Sequence, residues 1–182
     1  HDTVRRQRQM CIRDRCGVIM KIIEDFLPHN KWQENHNLFM TEEARWTYKS
    51  VPSDPNSFFF QQVYDPKMKL TSYMTAIEPI LEKIDYKEII NARTNLLPRM
   101  DSNYSFTKVD GAGLHNDHGF DFEYTTIIYY INTTNGGTYF QDGTVIQSKA
   151  NRLVIFNGHI LHRQIYQTDE KIRVATNINI KV

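Results

Sequence analysis

Cysteine is nearly absent from this chain. Its 182 residues contain two, Cys11 and Cys16, both within the first nineteen positions. Residues 20 to 182 therefore have no disulfide to draw on, and a reducing, cytoplasmic setting is the default expectation. Two cysteines with no histidine at a usable spacing make no zinc site either. The sequence also lacks an apolar run long enough to span a membrane. No charge of one sign dominates: 22 Lys and Arg stand against 21 Asp and Glu, and a net charge of +1 gives no electrostatic case for nucleic acid. Internal repeats and low-complexity tracts are missing too. What remains, 40% hydrophobic and 24% charged residues, is ordinary for a soluble globular chain of one domain with a sizeable core.

The first nineteen residues differ from the rest. They hold five arginines against two aspartates, carry both cysteines and show neither helical nor strand periodicity. No apolar stretch precedes a cleavage-like site, so neither a targeting segment nor a nucleic-acid arm is supported. Residues 1–19 are expected to be an appended, disordered or non-native tail. The string from Arg6 to Arg15 is similar to a translated adapter remnant, and Met20-Lys21-Ile22-Ile23 reads as a protein start. The expected domain is residues 20–182, with helical support over 28–86 and a β core over 88–182.

In the support region, residues 28–44 are expected to hold a helix. Leu70, Tyr73, Met74, Ile77, Ile80, Leu81 and Ile84 recur at spacings of three and four, the stripe of an amphipathic helix laid on a sheet. Pro79 should kink that helix or start a second one. Residues 52–57 read as a loop and Phe58-Phe59-Phe60 as the start of a strand. Trp32, Trp46 and Tyr48 could line a substrate entrance, although most such aromatics serve packing.

The last third carries the chemistry. Asp110 to Gly113 reads as a turn and Leu114 to Asp117 as the start of a short strand, whose alternation puts His115 and Asp117 on one face. Thr125 to Ile131 is a β-branched and aromatic strand closed by the turn-rich Asn132 to Gly137. Short strands follow at Thr138–Phe140, Thr144–Ile146, Leu153–Phe156 and Ile160–Tyr166, the last bearing His162. Arg173 to Val182 alternates to the end. Many short strands with frequent turns indicate an all-β sandwich or jelly roll, with the polar residues of the final strand facing inward toward a wet site. Two imidazoles and one carboxylate, from His115, Asp117 and His162, can occupy one face of an octahedral Fe(II) and leave the other face to a chelating co-substrate and dioxygen. Arg173 offers the planar fork that holds a distal carboxylate. Taken singly, each residue has a plainer reading: a turn pair, a core histidine, a surface ion pair, a hairpin, and for Tyr130 a packed aromatic. Together, in this order, they require several independent accidents.

From about Ile90 to the C-terminus the chain resembles the Fe(II)/2-oxoglutarate-dependent dioxygenases, in their prolyl-4-hydroxylase-like branch. The blocks that carry the resemblance are His115-Asn116-Asp117, Thr126 to Asn132, Gly136 to Phe140, Asn151 to Phe156, Leu161-His162-Arg163 and Arg173 to Asn177. The resemblance implies a double-stranded β-helix core with flanking helices, an α+β, cupin-like arrangement. It also implies iron ligands at His115, Asp117 and His162. Arg173, eleven positions past the distal histidine, would bind the outer carboxylate of 2-oxoglutarate with help from the Tyr130 hydroxyl. Tyr104 is a further co-substrate contact. Halogenating relatives replace the carboxylate ligand by a small residue; Asp117 is present here, so hydroxylation with O2 is expected, on a prolyl or other amino-acid substrate, small or peptidyl. His118, Asp121 and Glu123 are left to a loop near the pocket mouth. His159 falls on the opposite face of its strand from His162. Two other readings stay open: a cupin-type metal enzyme without 2-oxoglutarate, against which Arg173 and Tyr130 argue, and a non-catalytic β-sandwich binding module. Oligomeric state is not legible.

Overall fold

In the computed structural model, residues 9–13, 19–49, 58–68, 71–103, 113–119 and 121–182 are described. Their strands are β1 (Gln9–Arg13), β2 (Ile19–Ile23), β3 (Thr47–Lys49), β4 (Phe58–Tyr64), β5 (Glu88–Pro98), β6 (Thr125–Tyr130), β7 (Gly137–Phe140), β8 (Val145–Gln147), β9 (Arg152–Asn157), β10 (His162–Ile165) and β11 (Ile172–Lys181). Two helices, α1 (His29–Phe39) and α2 (Glu78–Leu81), accompany them. Eight strands form one sheet in the order β1-β2-β9-β6-β11-β5-β4-β3, and β10-β7-β8 form a second. Every pairing is antiparallel.

The large sheet is covered on both faces, which explains why β6 reads Thr-Thr-Ile-Ile-Tyr-Tyr with no polar alternation. On one face Ile127, Tyr129, Leu153, Val174, Ile178 and Ile180 join Phe39, Ile77, Ile80 and Leu81 from the helical region. On the other, Ile128, Tyr130, Val154, Phe156 and Ala175 meet Phe140 and Ile146 from the small sheet. The two glycines before Thr138 make that second contact possible. A Cβ on Gly137 would collide with the Ile146 carbonyl oxygen, and one on Gly136 would sit 2.7 Å from that of Ile165.

Several expectations are corrected. Of the two outcomes expected at Pro79 the structure has the second, a new helix α2, while the segment before it is a 3₁₀ turn, Ser72–Ala76, and not an α-helix. Pro79 has no N–H to donate and its ring excludes an α-helical carbonyl four residues back, so it is accommodated only in the first turn of a new helix. The apolar stripe nevertheless packs as core, with Ile77 and Ile80 fully buried. The helix of residues 28–44 is shorter, running from just after Pro28 to Phe39. Within residues 1–19, Gln9–Arg13 form a strand where none was expected, because the open edge of β2 offers unpaired N–H and C=O groups to any chain able to extend along it. The loop at residues 52–57 and the turn at 110–112 lie outside the described residues. No helix among the described residues is long and apolar enough to cross a membrane.

Asn151 ties the N-terminal segment to the sheet. It adopts φ +61°, a conformation asparagine tolerates better than most residues. Its Oδ1 accepts from Leu27 N and from the Tyr129 hydroxyl, both at 2.9 Å, and its Nδ2 donates to Leu27 O at 2.8 Å. Beside it, Glu24 pairs with Arg152 and Lys149 at 2.8 and 2.9 Å. Burial resists ionisation of Glu24, but the two cations outweigh it and hold the carboxyl below its ordinary value of 4.5.

Two stability predictions follow from these contacts. Asn151→Ala should cost about 3 kcal/mol in urea unfolding, since it strands three buried partners, whereas Tyr129→Phe should cost about 1 kcal/mol. The Glu24 contribution is complete above pH 4.5 and lost as pH falls through the lowered folded value. Glu24→Gln should therefore flatten the acid side of the stability profile and leave its shape at higher pH unchanged.

Candidate metal and co-substrate site

The three residues of the sequence motif converge where the small sheet faces the large one. His162 opens β10, and His115 meets it in an isolated antiparallel bridge with backbone hydrogen bonds of 3.0 and 2.9 Å. The expected strand at Leu114–Asp117 is reduced to that one bridge, because the chain bends at Asp117 and turns its carboxylate toward the imidazoles. One ligand atom from each of His115, Asp117 and His162 lies within 4.8 Å of the others.

Hydrogen bonding fixes which atoms face inward. His162 Nδ1 is 3.0 Å from Ile160 O and His115 Nδ1 is 2.9 Å from Gly113 O. A carbonyl only accepts, so each Nδ1 carries the proton and each Nε2 presents a lone pair. Gly113 turns its carbonyl to that ring at φ +78°, a conformation strained for any residue with a Cβ. Burial, partly offset by Asp117, lowers the pKa of His162 and keeps it neutral. Phe140 and Phe156 pack around its ring.

Among the described residues, both carboxylate oxygens of Asp117 and Nε2 of His162 are buried without a hydrogen-bond partner. Arg93 Nη2 approaches Asp117 Oδ1 only to 3.8 Å, beyond hydrogen-bond length. Three orphaned acceptors converging in one place would be costly in a purely structural cluster, and a divalent cation satisfies all three. Two neutral imidazoles and one carboxylate make an N2O donor set that suits iron. His115 is solvent-exposed while His162 is buried, so the cluster opens to solvent on the His115 side.

Arg173 lies farther along the same interior face of β11, opposite Leu97 of β5. It is 3% exposed, its Nε has no partner, and its guanidinium carbon sits 5.5 Å from the Tyr130 ring centre. Burial disfavours its charge, and the adjoining Tyr130 hydroxyl works against that effect. The same burial raises the pKa of Tyr130, so its hydroxyl, 2.7 Å from Thr138 Oγ1, stays protonated. Among the described residues no carboxylate pairs with Arg173, and a buried guanidinium of that kind is a receptor for an anion. The polar residues Arg173 and Asn179 of β11 face inward and are buried.

The remaining candidates separate. Tyr104 lies outside the described residues. His159 occupies the turn after β9, stacked edge-on with Tyr124 and 3.8 Å from Glu123. His118 is 3.3 Å from Asn179 Nδ2 and does not join the three-residue cluster. Asp121 and Glu123 are exposed. Trp32 and Trp46 pack against the core, and only Tyr48 of that group is strongly exposed. The sequence reading missed Arg93 and Asn95 of β5, whose face becomes visible only through their pairing with Asn177 and Ala175.

No protein-family model matches the chain, and no curated protein sequence matches it. Solved structures do. A prolyl-4-hydroxylase from Pseudomonas putida aligns with a TM-score of 0.57 at 13% identity, covering 90% of this chain and 92% of the other. The viral collagen prolyl hydroxylase of Paramecium bursaria Chlorella virus-1, in its 2OG complex, aligns at 0.56 and 11%, covering 90% and 96%. AviO1 from Streptomyces viridochromogenes Tue57 aligns at 0.59 and 10%, covering 95% and 97%. The fold is that of the 2-oxoglutarate oxygenases. In this double-stranded β-helix the His115–His162 bridge extends the small sheet, and Arg173 stands buried on β11 of the large one.

If the cluster holds a metal, saturating divalent cation should raise thermal stability of the wild type, by about 2.7 kcal/mol at a hundredfold excess over Kd. A chelator should reverse the gain. Asp117→Ala and His162→Ala should abolish it, and a shift that survives both would place the metal elsewhere.

Proposed function

We propose that this protein is an Fe(II)- and 2-oxoglutarate-dependent dioxygenase that hydroxylates a C–H bond of a prolyl or other amino-acid substrate, with release of succinate and CO2. The observation that carries this reading is the pair of unsatisfied sites on one interior surface: three orphaned ligand atoms at one end and an uncompensated guanidinium farther in. His115, Asp117 and His162 would hold the iron, which when bound supplies dioxygen activation coupled to oxidative decarboxylation of 2-oxoglutarate.

The protein's own groups do the rest. Arg173 receives the outer carboxylate of the co-substrate in a bidentate fork, and Tyr130, kept protonated by burial, donates to it. Tyr104 is assigned to the co-substrate by resemblance. Ile160 O and Gly113 O hold the two imidazoles in the tautomer that leaves Nε2 free. Phe140 and Phe156 limit water around His162. Asp117 occupies the position a halide would need, which favours hydroxylation over halogenation.

The activity is assigned to residues 20–182 as one domain, with 1–19 an appendage, in a reducing compartment. Among structures of this fold, a Trichoplax adhaerens prolyl hydroxylase is seen with a hypoxia inducible factor peptide, and the epimerase SnoN with a nogalamycin compound. A peptidyl or a small-molecule substrate is therefore compatible with the scaffold, whose variable loops set specificity.

Anaerobic titration of apo-protein with Fe(II) and then 2-oxoglutarate tests the proposal. A weak visible charge-transfer band should appear only after both additions. It should vanish in His162→Ala, and Arg173→Ala should weaken 2-oxoglutarate binding by at least about tenfold, the loss of one charge-assisted contact. Iron binding with no band and no 2-oxoglutarate affinity would favour a cupin-type enzyme. Absence of iron binding would leave a binding module.

A further inference from the structure

Arg93, beside the candidate metal cluster, and Lys49, near enough to Arg93 to repel it, are cations that neither the ligand set nor the Arg173 pocket uses. Arg93 pairs with Asn177 of β11 and Gln62 of β4, which places it on the interior face of the large sheet. Lys49 pairs with Phe58, which packs with Leu97 on that face. Arg93 and Arg173 are four residues apart along the β5–β11 ladder, about 13 Å at 3.3 Å per residue. Since Arg93 contacts Asp117, the metal cluster lies at the level of Arg93, away from the pocket that would take the co-substrate tail.

The charge balance there is incomplete. Among the described residues Asp117 is the one carboxylate in ion-pair reach of Arg93, and none is in reach of Lys49. Lys49 Nζ lies 6.0 Å from the Phe58 ring centre, and burial together with repulsion from Arg93 lowers its pKa. A dication on Asp117 would engage the carboxylate and add positive charge, leaving Arg93 without its compensating partner. Arg93 remains 26% exposed, so it can be reached from outside.

We propose that Arg93, supported by Lys49, is the substrate-anion receptor: the substrate carries a carboxylate that binds Arg93 and thereby sets its target C–H bond beside the metal. This rests on the function proposed above and narrows it to acidic substrates. Free amino acids and peptides with an acidic residue next to the target share that chemistry.

Acetate is the probe, with acetamide as its neutral isostere. The protein is loaded with Mn(II) in place of iron and with 2-oxoglutarate; water-proton relaxation verifies loading, and the methyl-proton relaxation of each probe is then followed. Acetate should be relaxed saturably and acetamide should not. Arg93→Met should weaken acetate by about tenfold, and Lys49→Met, at an exposed side chain, by less. Displacement of acetate by free L-proline, or instead by N-acetyl-prolyl-glutamyl-amide, distinguishes the two substrate sources. Equal relaxation of both probes, or acetate relaxation unchanged in Arg93→Met, would overturn the proposal while leaving the metal assignment intact. Failure of Mn(II) to load would remove both.

Discussion

Because β11 is hydrogen-bonded along both edges and covered on both faces along most of its length, each buried polar group it carries must find its partner inside the protein. Thr176 solves this with Thr94 at 2.9 Å and Asn179 with Thr126 at 2.8 Å. Arg173 is not solved in this way. A guanidinium at 3% exposure with an unpartnered Nε is a cost that packing alone does not offset. The same holds for Asp117 and His162. The sheet supplies the rigidity, and the unsatisfied groups are what that rigidity holds in place.

The small sheet matters for a related reason. β10 is anchored to β7 and extends by one residue pair to His115, so two distant segments of the sequence are locked by backbone hydrogen bonds before any ligand is considered. Gly136 and Gly137 allow the neighbouring strands to approach closely enough for Phe140 to reach both Phe156 and His162. A preorganised ligand set of this kind needs little rearrangement on binding. Arg93 of β5 reaches Asp117 while standing four residues along the ladder from Arg173, so this interior face carries two arginines at different levels.

Much of the site is legible in the residues. His115, Asp117 and His162 are chemically distinctive, and Arg173 follows in a strand whose alternation marks its face. β6, β7, β9 and β11 are equally plain, since β-branched runs bounded by Asn and Gly admit few other readings. The helical region is less so: the stripe through residues 73–84 identifies buried positions and Pro79 marks a break, but the pattern does not reveal that the segment before the break is a 3₁₀ turn. Both arrangements bury the same side chains.

By itself the sequence determined the strands from β6 to β11, the identity of the clustered polar residues and the turn glycines, because these depend on local pattern and side-chain chemistry. Only the tertiary structure decided that His115 meets His162 through a single bridge, that Asn151 anchors Leu27 and Tyr129, and that Arg93 shares an interior face with Arg173. The physical reason is the same in each case. These relations are cross-strand registers, and a register joins residues far apart in the chain, where no local periodicity records the pairing.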